Sequence, residues 1–173
     1  MKNIEKDKLT TLLEIMGTDP SQRILHFTNE DNTLTQMLHS YCTKESYEFQ
    51  INCINSHSFN AIQKNYASCD LTKAIQFTLE RPRYMIQGKV YNFIFVTLDN
   101  SEINQKEFLK KCHQIIHNGG HIILFLDKSE KASHKEWIRT LEESYYVATS
   151  VIDDLFENYD VVISKKMHGW GDK

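Results

Sequence analysis

Glycine is scarce in this chain: six residues of 173, with none between Gly17 and Gly88. Proline is scarcer, with only Pro20 and Pro82. That shortage excludes collagen-like, Gly/Pro low-complexity and long flexible-linker architectures. No apolar run reaches the roughly 20 residues that a bilayer-spanning helix needs. The opening stretch, MKNIEKDKLTTLLEIMG, mixes acids with bases and holds no apolar signal core, so a cytoplasmic location and no membrane partner are expected. Neither charge sign dominates: 20 Lys and Arg stand against 23 Asp and Glu, a net charge of -3. A non-specific nucleic-acid binder usually carries a basic stripe, and no run of Lys and Arg here is long enough to argue for one, although local basic patches are left open. The four cysteines, Cys42, Cys53, Cys69 and Cys112, show no C-x-x-C spacing. Neither a zinc site nor a redox dithiol is expected of them, and buried reduced thiols are the plain reading.

What is present is ordinary for a folded domain. The chain is 40% apolar and 25% charged. Its length suits one domain over residues 1–173, with an N-terminal helix over 1–17 and a C-terminal tail over 165–173. Leu9, Leu12, Leu13 and Met16 recur at helical spacing, and Gly17 closes that segment. Arg23 to Thr28 reads as a short strand. Thr33 and Gln36 have capping-box spacing ahead of a second helical stripe. A strand is predicted over Tyr47 to Ile54, a helix over Phe59 to Tyr66, and a strand over Ile75 to Leu79.

The second half is patterned more strongly. Tyr91 to Val96 is a nearly continuous apolar run, as expected of a strand covered on both faces. Asn104 and Glu107 predict a capped helix whose buried side includes Phe108, Leu109 and Cys112, with Asn118-Gly119-Gly120 as its stop. His121 to Leu126 predicts another buried strand, and Ser133 with Glu136 a second capping box. Two strands, Tyr145 to Ile152 and Tyr159 to Ser164, close the chain. Strands alternating with helices imply right-handed crossovers and a parallel sheet. The last connection is too short for a crossover, so the sheet should end in an antiparallel hairpin. The expectation is an α/β, doubly wound, Rossmann-like sheet of seven mostly parallel strands.

This arrangement resembles the class I S-adenosylmethionine-dependent methyltransferases. The stretch YNFIFVTLD, followed by FLKKCHQIIHNGGHIILFL, is similar to that family's fourth strand, fourth helix, Gly-Gly turn and fifth strand. YYVATSVIDDLFENYDVVISKK resembles its closing hairpin. The resemblance implies a cofactor crevice at the carboxyl ends of the strands. It also implies three spaced glycines after the first strand. RILHFTNEDNTLTQML instead puts Thr28, Glu30 and Asn32 at those positions, and His26 where the family usually has an acid. Glycine there permits positive φ and close backbone approach to the ligand, so side chains narrow it. The family's ribose-binding acid after the second strand is missing too, since no Asp or Glu occurs between Glu48 and Asp70. Asn55 remains as a neutral hydrogen-bonding group, weaker than a carboxylate.

On this resemblance the crevice positions are Thr28, Asn29, Glu30, Asn32, Asn55, Thr97 and Glu80, the last where the family often has an acid near the adenine. Asp99 is the candidate general base; the alternative is a solvated loop acid. Asn29 to Asn32 offer oxygens to a cation or amine; the alternative is a polar loop before a helix N-terminus. His113 and His117 stand four apart, as in a two-His metal face, but an amphipathic helix edge is the better reading and no metal is assigned. Arg81, Arg83 and Tyr84 fit a surface turn as well as a substrate contact. Trp170 in the tail suits either a partner contact or local packing. The expected function is a methyltransferase-like domain with degenerate cofactor motifs, acting as a binding or assembly module for a protein partner or as a homodimer. The alternative is an active methyltransferase with an atypical loop. S-adenosylmethionine is the cofactor the resemblance implies; a third reading keeps the fold but uses another nucleotide, or aminopropyl transfer as in the spermidine synthases, suggested by the stretch Glu80 to Tyr84.

Overall fold

Helix α1 (Lys6–Leu13) buries Leu9, Leu12 and Leu13, and a 3-10 turn carries the stripe on to buried Met16. Gly17 ends it at φ 60, a left-handed conformation that suits glycine. Strand β1 (Arg23–Thr28) is buried from Ile24 onward. It is followed by α2 (Thr33–Glu45), β2 (Glu48–Cys53), α3 (Ser56–Tyr66) and β3 (Thr72–Gln76). The second half comprises β4 (Tyr91–Thr97), α4 (Gln105–His113), β5 (Ile116–Asp127), α5 (Lys131–Glu143), β6 (Tyr146–Ile152) and β7 (Tyr159–Lys166). This computed structural model describes residues 1–99, 101 and 103–169. Trp170, assigned above a partner or packing role, lies outside them. No helix among the described residues is long and apolar enough to cross a membrane.

The sheet order is β3-β2-β1-β4-β5-β7-β6. The first five strands pair in parallel, and β7 inserts antiparallel between β5 and β6. The expected seven-stranded, doubly wound sheet with a terminal hairpin is therefore present. Successive strand residues point to opposite faces, which splits the core in two. Ile24, Phe95, Ile123 and Val161 pack with α1, α2 and α3. Leu25, Ile94, Leu124 and Val162 pack with α4 and α5, around Phe108 and Trp137. Strand order reverses between β1 and β4, and the crevice of such a sheet opens at that switch.

Five local expectations change. The third strand is Thr72–Gln76 and not Ile75 to Leu79. Phe77 is fully buried but belongs to the loop beneath α4, edge-on to Phe27 and Tyr84. The cap of α2 is Asn32 with Thr35, one residue earlier than Thr33 with Gln36. Ser133 does not cap α5; it donates to the Glu130 carbonyl at 2.8 Å, inside a helix that begins at Lys131. Gly119 and Gly120 lie within β5, where the register against β4 shifts. Gly119 has φ 83, and a Cβ on Gly120 would stand 2.8 Å from the Asn92 and His117 carbonyls. These glycines shape a bulge, because α4 has already ended at His113. His117 is consequently a strand residue and His113 a buried helical one, so the pair does not share a helix edge.

Candidate functional site

The loop from Thr28 to Asn32 leaves β1 at the switch point. Thr28 is fully buried, and its Oγ1 donates to the Glu30 carbonyl at 2.6 Å. Asn32 caps α2: its Oδ1 accepts from Thr35 N at 3.1 Å. Its Nδ2 also lies 3.2 Å from both Thr28 Oγ1 and Thr97 Oγ1. Asn32 thus links the end of β1 to the end of β4, and its side chain spans ground that a glycine would leave open.

His26 sits one layer deeper. Its Nε2 is 2.8 Å from Thr97 Oγ1 and its Nδ1 is 3.3 Å from Thr35 Oγ1. Burial pushes the imidazole down from 6.5 to about 3. The ring is neutral at physiological pH, so one nitrogen donates and the other accepts. Thr97 therefore joins β4 to both His26 and Asn32.

In front of this network lies a crevice of about 700 Å³. Of the sequence-derived candidates, Asn29, Glu30, Asn55, Thr97 and Asp99 line it. Asn29 Oδ1 accepts from Asp99 N at 2.8 Å and ties the β1 and β4 loops together. The Asp99 side chain is spent locally, accepting from Ser101 N at 3.1 Å. Asn55 Oδ1 accepts from His57 N and Ser58 N as the cap of α3. Thr28 and Asn32 are not among the lining residues, because their side chains turn into the loop network. Glu80 is exposed and lines a separate cavity of about 80 Å³, with Tyr84 and Phe108. Asp31 points to α3, where Tyr66 Oη donates to it at 2.9 Å. Among the described residues no group of three or more His, Cys, Asp and Glu is placed to hold a metal ion.

The opposite wall was not read from the sequence. It comprises Phe125 and Asp127 at the end of β5 and Tyr159 at the start of β7, facing the chain's own Met1 and Lys2. Asp127 pairs with Tyr159 in the antiparallel register. A signal for Asp127 existed: it ends a buried strand, just as Asp99 follows one. Tyr159 becomes visible only once β7 is known to run antiparallel beside β5.

The N-terminal segment crosses this wall. The Met1 α-ammonium lies 2.9 Å from Glu30 Oε1, and Asn32 Nδ2 lies 3.2 Å from Met1 Sδ. Lys2 N donates to Tyr159 Oη at 3.0 Å, and Lys2 Nζ to Asp127 Oδ1 at 2.9 Å. Asn158 Nδ2 donates to the Asn3 carbonyl, and Glu157 N to Glu5 Oε1. Burial pushes the Asp127 carboxyl up. The hydrogen bonds from Lys2 and Ser129 outweigh it and hold the group below the ordinary aspartate value. Behind Asp127, His134 Nε2 faces its carbonyl at 2.9 Å, and His134 Nδ1 faces Asp160 Oδ2 at 3.1 Å.

Solved structures give this architecture a class: the chain has the class I methyltransferase fold. It superposes on a SAM-dependent O-methyltransferase from Thermotoga maritima with a TM-score of 0.70 and 12% identity, over 96% of this chain and 68% of that one. A methyltransferase from Pyrococcus furiosus gives 0.69 and 10%, over 92% and 83%. The methyltransferase domain of the citrinin polyketide synthase gives 0.74 and 11%, over 93% of this chain but 51% of that one. At such identities the likeness is one of fold. No family model and no curated protein matches the sequence.

Proposed function

We propose that this domain is a methyltransferase-fold binding or assembly module that has lost strong S-adenosylmethionine binding. Its expected partner is another protein or a second copy of the chain. The observation that carries the reading is the side-chain network at the switch point. Asn32, standing where the resemblance implies a glycine, bridges Thr28 and Thr97 at 3.2 Å each. The residues present do not fit the cofactor's usual reception. Glu30 puts a charged side chain where the resemblance implies a glycine. Asn55 is committed to capping α3, and β2 ends at Cys53 with no acid beyond it before Asp70. Calorimetric titration with S-adenosylmethionine and S-adenosylhomocysteine tests the reading. No micromolar binding of either is expected, and micromolar binding of either overturns it.

One observation favours a second reading, that of an active methyltransferase. The crevice remains about 700 Å³, and Asp99 stands on its rim beyond β4. On that reading Asp99→Ala abolishes methyl transfer while leaving the fold intact.

A further inference from the structure

The crossover from β3 to β4, residues 77–90, contains no helix, whereas those leaving β1, β2 and β4 carry α2, α3 and α4. The α4 side of β2 and β3 is correspondingly polar. Strand β2 puts Glu48, Gln50 and Asn52 there, and Phe49, Ile51 and Cys53 into the core on the other side. Lys73 and Ile75 of β3 stand in register with Gln50 and Asn52. Tyr91 Oη donates to Gln50 Oε1 at 2.8 Å and Gln50 Nε2 to Asn52 Oδ1 at 2.8 Å, while the buried Asn52 Nδ2 has no partner among the described residues. A hollow of about 120 Å³ opens here, lined by Gln50, Leu71, Lys73 and Lys89 among others. Strand β3 is also an edge of the sheet, and a regular one. It pairs with β2 without a register shift, whereas the opposite edge strand β6 is broken by a bulge where Ala148 has φ 52. Phe49 N donates to the Leu71 carbonyl and Phe77 N to the Cys53 carbonyl, so the odd-numbered residues bond to β2. Alternation turns the Ala74 and Gln76 N–H groups and the Thr72 and Ala74 carbonyls outward.

We propose that the outer edge of β3 docks an extended segment of a partner protein as a further strand, with an acidic side chain opposite Lys73 and apolar ones on either side of it. Strand addition of this kind draws affinity from the main chain and specificity from alternate side chains. Charge selects the acid. Three cations, Arg23, Lys73 and Lys89, face two carboxylates at this corner, Glu48 and Asp70, and Glu48 is already held by Arg23 at 3.0 Å and Lys89 at 3.2 Å. Lys73 is exposed and pairs with no carboxylate among the described residues. Leu71 and Ile75 select the apolar neighbours, since they share the face of Lys73 two residues away on each side. Leu71 is 40% exposed and Ile75 half-buried, so both have apolar surface left to cover. The site lies toward the amino ends of β2 and β3, away from the crevice at the carboxyl ends. It rests on the proposed function only in needing a protein partner, and it does not depend on whether S-adenosylmethionine binds.

The test uses the full chain, labelled with nitrogen-15, and two end-capped peptides as probes, Val-Thr-Glu-Thr-Val and Val-Thr-Lys-Thr-Val. The acidic peptide should shift the Ala74 and Gln76 amide resonances and bind at least about five-fold more tightly than the basic one. Lys73→Glu should reverse that preference. Ala74→Pro removes an outward N–H that makes no bond to β2, and an edge strand tolerates proline at such a position. That variant should keep the parent's far-ultraviolet circular dichroism and lose the acidic peptide; should it unfold, the charge reversal decides alone. Equal affinity for the two peptides overturns the proposal, as does binding of neither. A Lys73→Glu variant that keeps the parent's preference also overturns it, and so do shifts confined to other strands. A parent chain that sediments as a dimer, dissociated by Ala74→Pro, overturns it too, because the occupant is then a second copy. S-adenosylmethionine titrated into the same proteins reports separately on the proposed function: its binding counts against that reading and leaves the peptide result unchanged.

Discussion

His26 Nε2 lies 2.8 Å from Thr97 Oγ1, joining β1 to β4 across the point where the strand order reverses. The contact is fully buried, and both partners are also tied to the loop that follows β1: His26 through Thr35, Thr97 through Asn32. The switch point of this sheet is therefore knit together by polar side chains. A network of this kind rigidifies when every member is satisfied and becomes costly when one is removed.

A pH dependence follows from His26. Its folded value of about 3 lies below the ordinary 6.5, so between those pH values the unfolded chain binds a proton that the folded one refuses. The stability this provides is fully present above pH 6.5 and is lost as pH falls toward 3. The slope is at most about 1.4 kcal/mol per pH unit. Urea denaturation of the parent and of His26→Gln at pH 5 and pH 7 isolates it, since most carboxylates stay ionised there. The parent should lose more stability than the variant on going to pH 5. Equal losses would remove His26 from the account.

Asn32→Ala should cost about 1–2 kcal/mol in urea denaturation, because it removes the cap of α2 and the Nδ2 contacts to Thr28 and Thr97. Asn32→Gly should leave the loop more mobile without restoring cofactor binding by itself, because Glu30 and the missing acid after β2 remain. A variant with glycine at positions 28, 30 and 32 that binds S-adenosylmethionine would show those side chains to be the main obstacle.

The glycine pair in β5 separates two physical effects. Gly120→Ala meets carbonyl oxygens at 2.8 Å and should destabilise by about 2 kcal/mol or more. Gly119→Ala meets nothing within 4 Å but sits at φ 83, so strain alone should cost it about 1 kcal/mol. Thermal denaturation of the two variants ranks them, and the reverse order would argue against the bulge.

His134 Nε2 lies 2.9 Å from the Asp127 carbonyl and its Nδ1 lies 3.1 Å from Asp160 Oδ2. Asp160 is 5% exposed. Asp160→Ala leaves His134 Nδ1 without this partner and should cost about 1–3 kcal/mol. It should also loosen the end of β5, seen as faster amide exchange at Asp127 and Lys128. Unchanged exchange there would separate this pair from the crevice wall.

The sheet was legible because buried strands write themselves as apolar runs, as Tyr91 to Val96 and His121 to Leu126 do. The hairpin followed from a connection too short to cross over. The half-buried edge strand Thr72–Gln76 was misplaced because Phe77 and Leu79, the apolar residues that suggested it, serve loop packing instead. The Gly-Gly pair misled because a bulge and a helix stop ask the same freedom of glycine. One wall of the crevice was readable from strand ends: Asn29, Glu30, Asn55, Thr97 and Asp99 do line it. Glu80 was placed by resemblance alone and lies elsewhere. The other wall depends on contacts across more than 120 residues, such as Lys2 with Asp127, and nothing local encodes those.

Thermal unfolding with 1 mM S-adenosylmethionine or S-adenosylhomocysteine decides whether the crevice receives either compound strongly. A ligand with a dissociation constant near 10 μM would at that concentration stabilise the fold by about 2.7 kcal/mol. For a chain of this size that raises the Tm by roughly 5–10 °C. The expected result is a Tm unchanged within about a degree by either compound; a rise of 5 °C or more with either would contradict the account.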